Sequence, residues 1–279
     1  MIHLYGFVIG IAIVVGLWLM EIQAKKHQGE EGEWRSQRSQ PGLWQSQRRC
    51  PGVQISSDNF YKLSWVILLG GIIGARFYHV ATDFHLYQNQ LLDIFKVWQG
   101  GMSIIGGVMG GVLSAWVFLK VSSLGKKINL ATILDLSVFG LPVAQAIGRW
   151  GNFFNQELYG MPTQLPWKIY IEPINRLIGY ENFSYFQPLF FYEMILMLLF
   201  AGVVWVSDYR QSLSGFSIGS GKLFSLYVFY YSFIRFCLDF IRIDKTQFLN
   251  TILGFNQVFL IMVMIITASF WLKKKQWKK

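Results

Sequence analysis

An all-α fold, a polytopic membrane helix bundle, is predicted for this chain by three observations. Hydrophobic residues make up 53% of the 279 positions and aromatics 17%, while charged residues reach only 14%. A soluble domain carries about 25% charged residues, so this chain lacks the polar surface to face water on all sides. Second, the apolar residues gather into about seven stretches of the ~20 residues needed to cross a bilayer. Third, the polar connections between them are basic, giving a formal charge of +10 and a pI near 9.6. Mean hydropathy is +0.37. Together these exclude a soluble enzyme, a disordered chain and a nucleic-acid-binding domain.

The predicted spans are Ile2–Met20, Leu63–Val80, Met102–Leu119, Leu130–Ile147, Leu189–Val206, Leu223–Ile241 and Phe255–Leu272. The first lacks a basic leader and a clear cleavage site, so it is read as a retained span. Lys and Arg concentrate in one set of connections, including Lys25, Lys26, Lys126, Lys127 and the tail lysines from Lys273 onward. The positive-inside rule makes that set cytoplasmic and puts the amino terminus outside. Residues 1–279 are read as one integral membrane domain. Segment 28–59 breaks the apolar pattern, repeats Trp34-Arg35-Ser36-Gln37-Arg38 loosely at Trp44–Arg48, and is expected to be a flexible cytoplasmic insert. Segment 149–188 holds four prolines and several aromatics and is expected to fold as an outer cap.

Two cysteines, Cys50 and Cys237, and four scattered histidines form no disulfide framework or zinc spacing, and no metal is expected. Glycines four apart, Gly70/Gly74 and Gly106/Gly110, are read as close helix packing. The Gln99–Ser103 turn has bare backbone that can offer N–H groups to an anion.

Ionisable groups inside spans are costly and mark sites. Here they are Arg76, Asp135, Glu193, Arg235 and Asp239. Arg235 and Asp239 share a helix face at i,i+4 and can pair, and Arg242 continues that face. Arg76, Arg235 and Arg149 fall near the outer ends of separate spans and are expected to converge on an anion. A lipid phosphate is the anion at that depth, and guanidinium fits it bidentately.

The run Gly148-Arg149-Trp150-Gly151-Asn152-Phe153-Phe154-Asn155-Gln156-Glu157-Leu158-Tyr159-Gly160 puts Arg149, Asn152 and Asn155 on one face if it begins as a helix. It offers a fixed cation, two amides and a carboxylate, Glu157. This run resembles the prolipoprotein diacylglyceryl transferase signature G-R-x-G-N-F-x-N-x-E-x-x-G at every specified position, Gly151 included. The resemblance extends to Tyr5-Gly6, to Gly74–Tyr78 around Arg76, to Trp98–Gly101, to Tyr192-Glu193 and to the Arg235/Asp239 pattern. Two departures stand out. Ile105 occupies a third-span position where many members carry histidine. Gln187–Glu193 replaces a His-Pro-led run, although one branch of the family shows similar variants.

The resemblance implies a bacterial inner-membrane transferase that needs no cofactor. It would move the diacylglyceryl group of phosphatidylglycerol to the lipobox cysteine of a prolipoprotein bearing its signal peptide, releasing glycerol 1-phosphate. Arg149 and Arg235 would hold the phosphate. Asn152 and Asn155 would bind the head group or hold the loop, and Tyr5, Tyr192 and Glu193 would shape the cavity. The base stays open among His79, Glu157 and an arginine-bound water. A lipid or anion transporter and an inactive membrane scaffold are the competing readings. Oligomeric state is not legible.

Overall fold

The computed structural model describes residues 2–37, 55–88, 90–210, 216–243 and 254–276. It is an all-α membrane bundle of eight helices among those residues. These are α1 (Ile2–Gln37), α2 (Ser57–Thr82), α3 (Ile104–Val121), α4 (Leu130–Ser137), α5 (Leu141–Phe154), α6 (Leu189–Tyr209), α7 (Lys222–Leu238) and α8 (Phe255–Gln276). Each predicted apolar stretch falls mainly on a helix, except Leu130–Ile147, which falls on the pair α4 and α5. Four of them, α1, α2, α3 and α6, are long and apolar enough to cross a membrane, and the bent pair α4–α5 makes a fifth. Helix α7 has 17 residues, and α8 is apolar over Phe255–Phe270.

By contact density the chain divides into two compact units. One contains residues 2–23 and 134–276, the other 24–37 and 55–133.

In the second unit, α2 and α3 mesh through glycine. A methyl group on Gly74 would lie 2.4 Å from the Gly106 carbonyl oxygen, and one on Gly110 would lie 2.3 Å from that of Gly70. The i,i+4 glycine spacing is therefore packing, as read from the sequence. Ser56 and Ser103 cap the two helices through the amides of Asn59 and Gly106.

In the first unit, the predicted straight span Leu130–Ile147 is broken. Helices α4 and α5 meet at 53°. Pro142 in the first turn of α5 cannot donate to an earlier carbonyl. The Phe139 carbonyl freed by the break accepts from Trp205 Nε1 at 3.0 Å, which spares it an unsatisfied state in an apolar medium. Gly140 sits against α1, where an added Cβ would lie 2.0 Å from the Gly16 carbonyl oxygen. Gly148 faces Ile9 farther along the same antiparallel pair. Asp135, expected as an intramembrane acid, is fully buried and accepts from the amides of Gly219, Gly221 and Phe224 at 2.8–3.0 Å. It thus satisfies the open amino-terminal end of α7. Tyr230 of α7 stacks on Phe200 of α6 at 4.5 Å and donates to the Leu196 carbonyl.

Two boundaries of the sequence reading shift. Helix α1 continues through Gln37 and α2 begins at Ser57, so both ends of the expected 28–59 insert are helical, Ile55 and Ser56 lead into α2, and residues 38–54 lie outside the described residues. Gln, Glu, Lys and Arg are good helix formers, so loss of apolar periodicity did not end the helix. Helix α5 likewise runs to Phe154, and the cap comprises residues 155–188. Within the cap, β1 (Ile169–Tyr170) pairs antiparallel with β2 (Tyr185–Phe186), Ile169 opposite Phe186. Tyr159, Ile171 and Phe186 form its small core.

Candidate functional site

Helix α5 presents Arg149 and Asn152 one turn apart. Arg149 Nη1 donates to Asn152 Oδ1 at 3.1 Å, and Asn152 Nδ2 donates to Glu157 Oε1 at 2.7 Å. Arg149 Nη2 donates to Glu193 Oε1, and Arg235 Nη1 donates to Glu193 Oε2 at 3.0 Å. Three helices, α5, α6 and α7, therefore bring two guanidinium groups onto one carboxylate. The Glu193 side chain is fully buried, while those of Arg149 and Arg235 keep 20% and 18% exposure. Two guanidinium groups share the one buried carboxylate, and the second acid of the network, Glu157, meets them only through Asn152.

The cluster's hydrogen-bonding capacity is unfilled. Arg235 uses a single N–H among the described residues, and Arg149 Nε is buried without a partner. The Tyr231 side chain of α7 lies near the Arg149 guanidinium. Beside the cluster lies a cavity of ≈ 200 Å³ lined by Asn152, Glu157, Gln156, Phe153, Phe154, Ile169, Tyr170, Ile171 and Phe190.

The signature run leaves helical geometry just past Asn155, the C-cap of α5. Gln156 and Leu158 take left-handed φ values of 52° and 58°, which cost non-glycine residues about 1–2 kcal/mol each. The chain reverses between them, and this directs Glu157 back to Asn152. Gly151 is required by a close approach, since an added Cβ would lie 2.6 Å from the Tyr5 ring. Tyr5 is thereby laid on α5 at Gly151, next to Asn152 and two residues from Arg149 in the chain.

A description of the prolipoprotein diacylglyceryl transferases matches residues 1–273. The chain belongs to that family. Curated members carrying the name phosphatidylglycerol–prolipoprotein diacylglyceryl transferase include one from Frankia alni, 43% identical over 180 residues, which cover 63% of this chain and 45% of that relative. A second, from Cutibacterium acnes, is 40% identical over 194 residues, covering 68% of this chain and 62% of the relative. A third, from Fervidobacterium nodosum, is 39% identical over 184 residues, covering 66% and 60%. The chain thus spans less than two thirds of the length of these three relatives.

Against this family frame, the residues singled out in the sequence separate into groups. Arg149, Asn152, Glu157, Glu193 and Arg235 form one network, with Tyr5 and Gly151 packed beside it. Tyr192, on the next position to Glu193, accepts from Trp167 Nε1 at 2.7 Å and ties the cap to the start of α6. The expected Arg235–Asp239 pair does not form. Helix α7 ends at Leu238, Arg235 turns to Glu193, and Asp239 faces Arg242 at 3.9 Å.

Arg76 and His79 belong to the second compact unit. Arg76 was expected to meet an anion. Its guanidinium instead makes five hydrogen bonds to the carbonyls of Asp93, Ile94, Lys96, Gly100 and Gly101, and Tyr87 covers it at 5.0 Å. The Gly100-Gly101 turn likewise presents carbonyls rather than N–H groups to that arginine, with φ of 91° and 70° that suit glycine alone. His79 Nδ1 lies 3.2 Å from Asp83 Oδ2. Ile105 is more than half exposed.

The sequence reading missed Tyr231. A tyrosine four residues before Arg235 gives one signal, the shared helix face, but its approach to Arg149 depends on how α7 packs against α5. Among the described residues, no three His, Cys, Asp or Glu side chains are grouped to hold a metal.

Proposed function

We propose that this chain transfers the diacylglyceryl group from phosphatidylglycerol to the lipobox cysteine thiol of prolipoproteins. The observation that carries the reading is the pair of guanidinium groups from α5 and α7, gathered on one buried carboxylate with unfilled N–H groups. The thiolate sulfur attacks the glyceryl carbon that carries the phosphate. A C–S bond forms and the C–O bond breaks, its electron pair staying on the phosphate oxygen. Glycerol 1-phosphate leaves with one more negative charge than the diester had, and the thiol proton goes to the base.

Charge that grows on the leaving oxygen is stabilised most in the transition state by donors already in place. Arg149 and Arg235 supply those donors. Glu193 holds the two guanidiniums at one spacing, and two buried like charges need such a counter-ion. Asn152 fixes Arg149 and passes orientation to Glu157. Tyr5 packs on α5 at Gly151, beside this network. The same cationic field favours thiolate over a free thiol of pKa ~8.5. Glu157, hydrogen-bonded and exposed, serves as a proton acceptor, with an arginine-bound water as the alternative. The site lies in the bacterial inner membrane, with the amino terminus and the cap outside and the carboxyl terminus cytoplasmic. Both substrates arrive through the bilayer.

Purified chain in phosphatidylglycerol vesicles, given a lipobox peptide, is expected to release glycerol 1-phosphate and leave a lipidated peptide. Arg149→Ala is expected to abolish both while keeping helix content. Absence of release from a folded sample overturns the proposal, and near-normal turnover by Arg149→Ala removes that residue from it.

A further inference from the structure

The cap carries a turn, residues 173–178, that the transfer chemistry does not use. Ile174 and Ile178 are 87% and 95% exposed, while Ile171 just before them is buried at 1%. Exposed apolar side chains on a mobile loop carry little meaning, but this turn is built. Arg176, between the two isoleucines, folds inward and donates to the carbonyls of Ile171 and Glu181 and to Ser184. Gly179 closes the turn at a φ of 88°, and its N–H meets both oxygens of Glu181.

The height of the turn is fixed as well. Gln156, two residues past the end of α5, accepts from the Glu172 amide at 2.7 Å and from Asn175 Nδ2 at 3.1 Å. The Tyr159 hydroxyl donates to the Asn175 carbonyl and accepts from the Leu177 amide, both at 2.8 Å. The adjoining Gly160 N–H pairs with the Gln187 carbonyl, two residues ahead of α6, itself long and apolar enough to span. The turn is therefore tied through one side chain to the segment leaving α5 and through Tyr159 and Gly160 to the segment entering α6. Tyr170 and Phe183, both exposed, flank it, in keeping with the aromatic residues that gather at membrane interfaces.

We propose that the 173–178 turn is a wedge seated in the lipid interface, its two isoleucines entering the boundary between head groups and acyl chains beside α5 and α6. Its charges balance, Lys168 and Arg176 against Glu172 and Glu181. Apolar contact rather than attraction to anionic lipid holds it there. By way of Gln156 and Tyr159 the wedge also sets where the signature turn, and hence Glu157, sits relative to the bilayer.

The test uses the full chain with Cys50→Ser and Cys237→Ser, a fluorophore being placed on Ile174→Cys or Ile178→Cys in vesicles. Nitroxide attached to lipid near the head group is expected to quench both labels about twofold or more, as for interfacial side chains, and aqueous iodide to quench them weakly. The same result is expected in purely zwitterionic vesicles. Free access of iodide overturns the proposal. Shielding that disappears on lipid dilution assigns the turn to a second copy, and shielding that requires added lipobox peptide assigns it to the acceptor; either overturns it. The readout needs no turnover, so its failure and a failure of transfer are separate results.

Discussion

Arg76 and Arg235 are both set on apolar helices, and they have opposite fates. Five carbonyl oxygens surround Arg76, matching the five N–H groups of a guanidinium. Among the described residues, Arg235 makes one bond, to a carboxylate that a second arginine shares. Neutral carbonyls fixed in a loop satisfy an arginine without cancelling its charge, and they leave no N–H for a ligand. A shared carboxylate cancels charge only in part and leaves donors open. On the proposed function, the difference makes one arginine a brace for its loop and the other a donor open to an arriving anion. Position in a span does not distinguish them.

The comparison can be broken most sharply at Arg235. Arg235→Ala is expected to lower the rate of glycerol phosphate release by about 10²–10³-fold, the usual effect of removing one donor to developing charge. Circular dichroism should show helix content unchanged. A loss under tenfold would place Arg235 with Arg76 as a structural cation.

Arg76→Lys sharpens the contrast from the other side. Three ammonium donors cannot fill the carbonyl cage, so buried acceptors go unsatisfied at about 1–3 kcal/mol. Thermal unfolding in detergent should move down while turnover per folded molecule holds. A fall in turnover without a shift in unfolding would return Arg76 to the anion site.

The smallest effect is expected at Glu181, where the Gly179 N–H holds the carboxyl below its ordinary value of 4.5. A lowered pKa stabilises the folded turn above the unfolded value, and that help is lost as pH falls through the lower, folded value. Glu181→Gln should remove this acid dependence from the quenching of a label at position 178. Identical titrations of the two proteins would show that the Gly179–Glu181 contact does not shape the turn.

Local features of this molecule were readable from residue order. The spacing of Arg149 and Asn152 placed them on one helix face, and glycines four apart marked α2 and α3 as helices that pack closely. Contacts between distant segments were not readable. Nothing near Glu193 in the chain announces that α5 and α7 each send it an arginine. Arg76 looked like a site because cost in an apolar medium says a charge needs partners, not which partners. The break before α5 was signalled by Gly140 and Pro142, yet the apolar run continues through both and hides it. The paired strands of the cap are two residues each, too short for any alternation to register.

The crossing of α1 over α5 has a consequence at a distance. Gly16 rests on Gly140, and eleven positions along each helix Tyr5 rests on Gly151. The two contacts work as paired marks on sliding scales, about 16 Å apart at 1.5 Å per residue. A methyl group inserted at position 140 would have to lift or slip α1, and the slippage would be read out at the other mark, where the Tyr5 ring lies on Gly151, two residues from Arg149 in the chain. Gly140→Ala should therefore disturb the signature run without touching it.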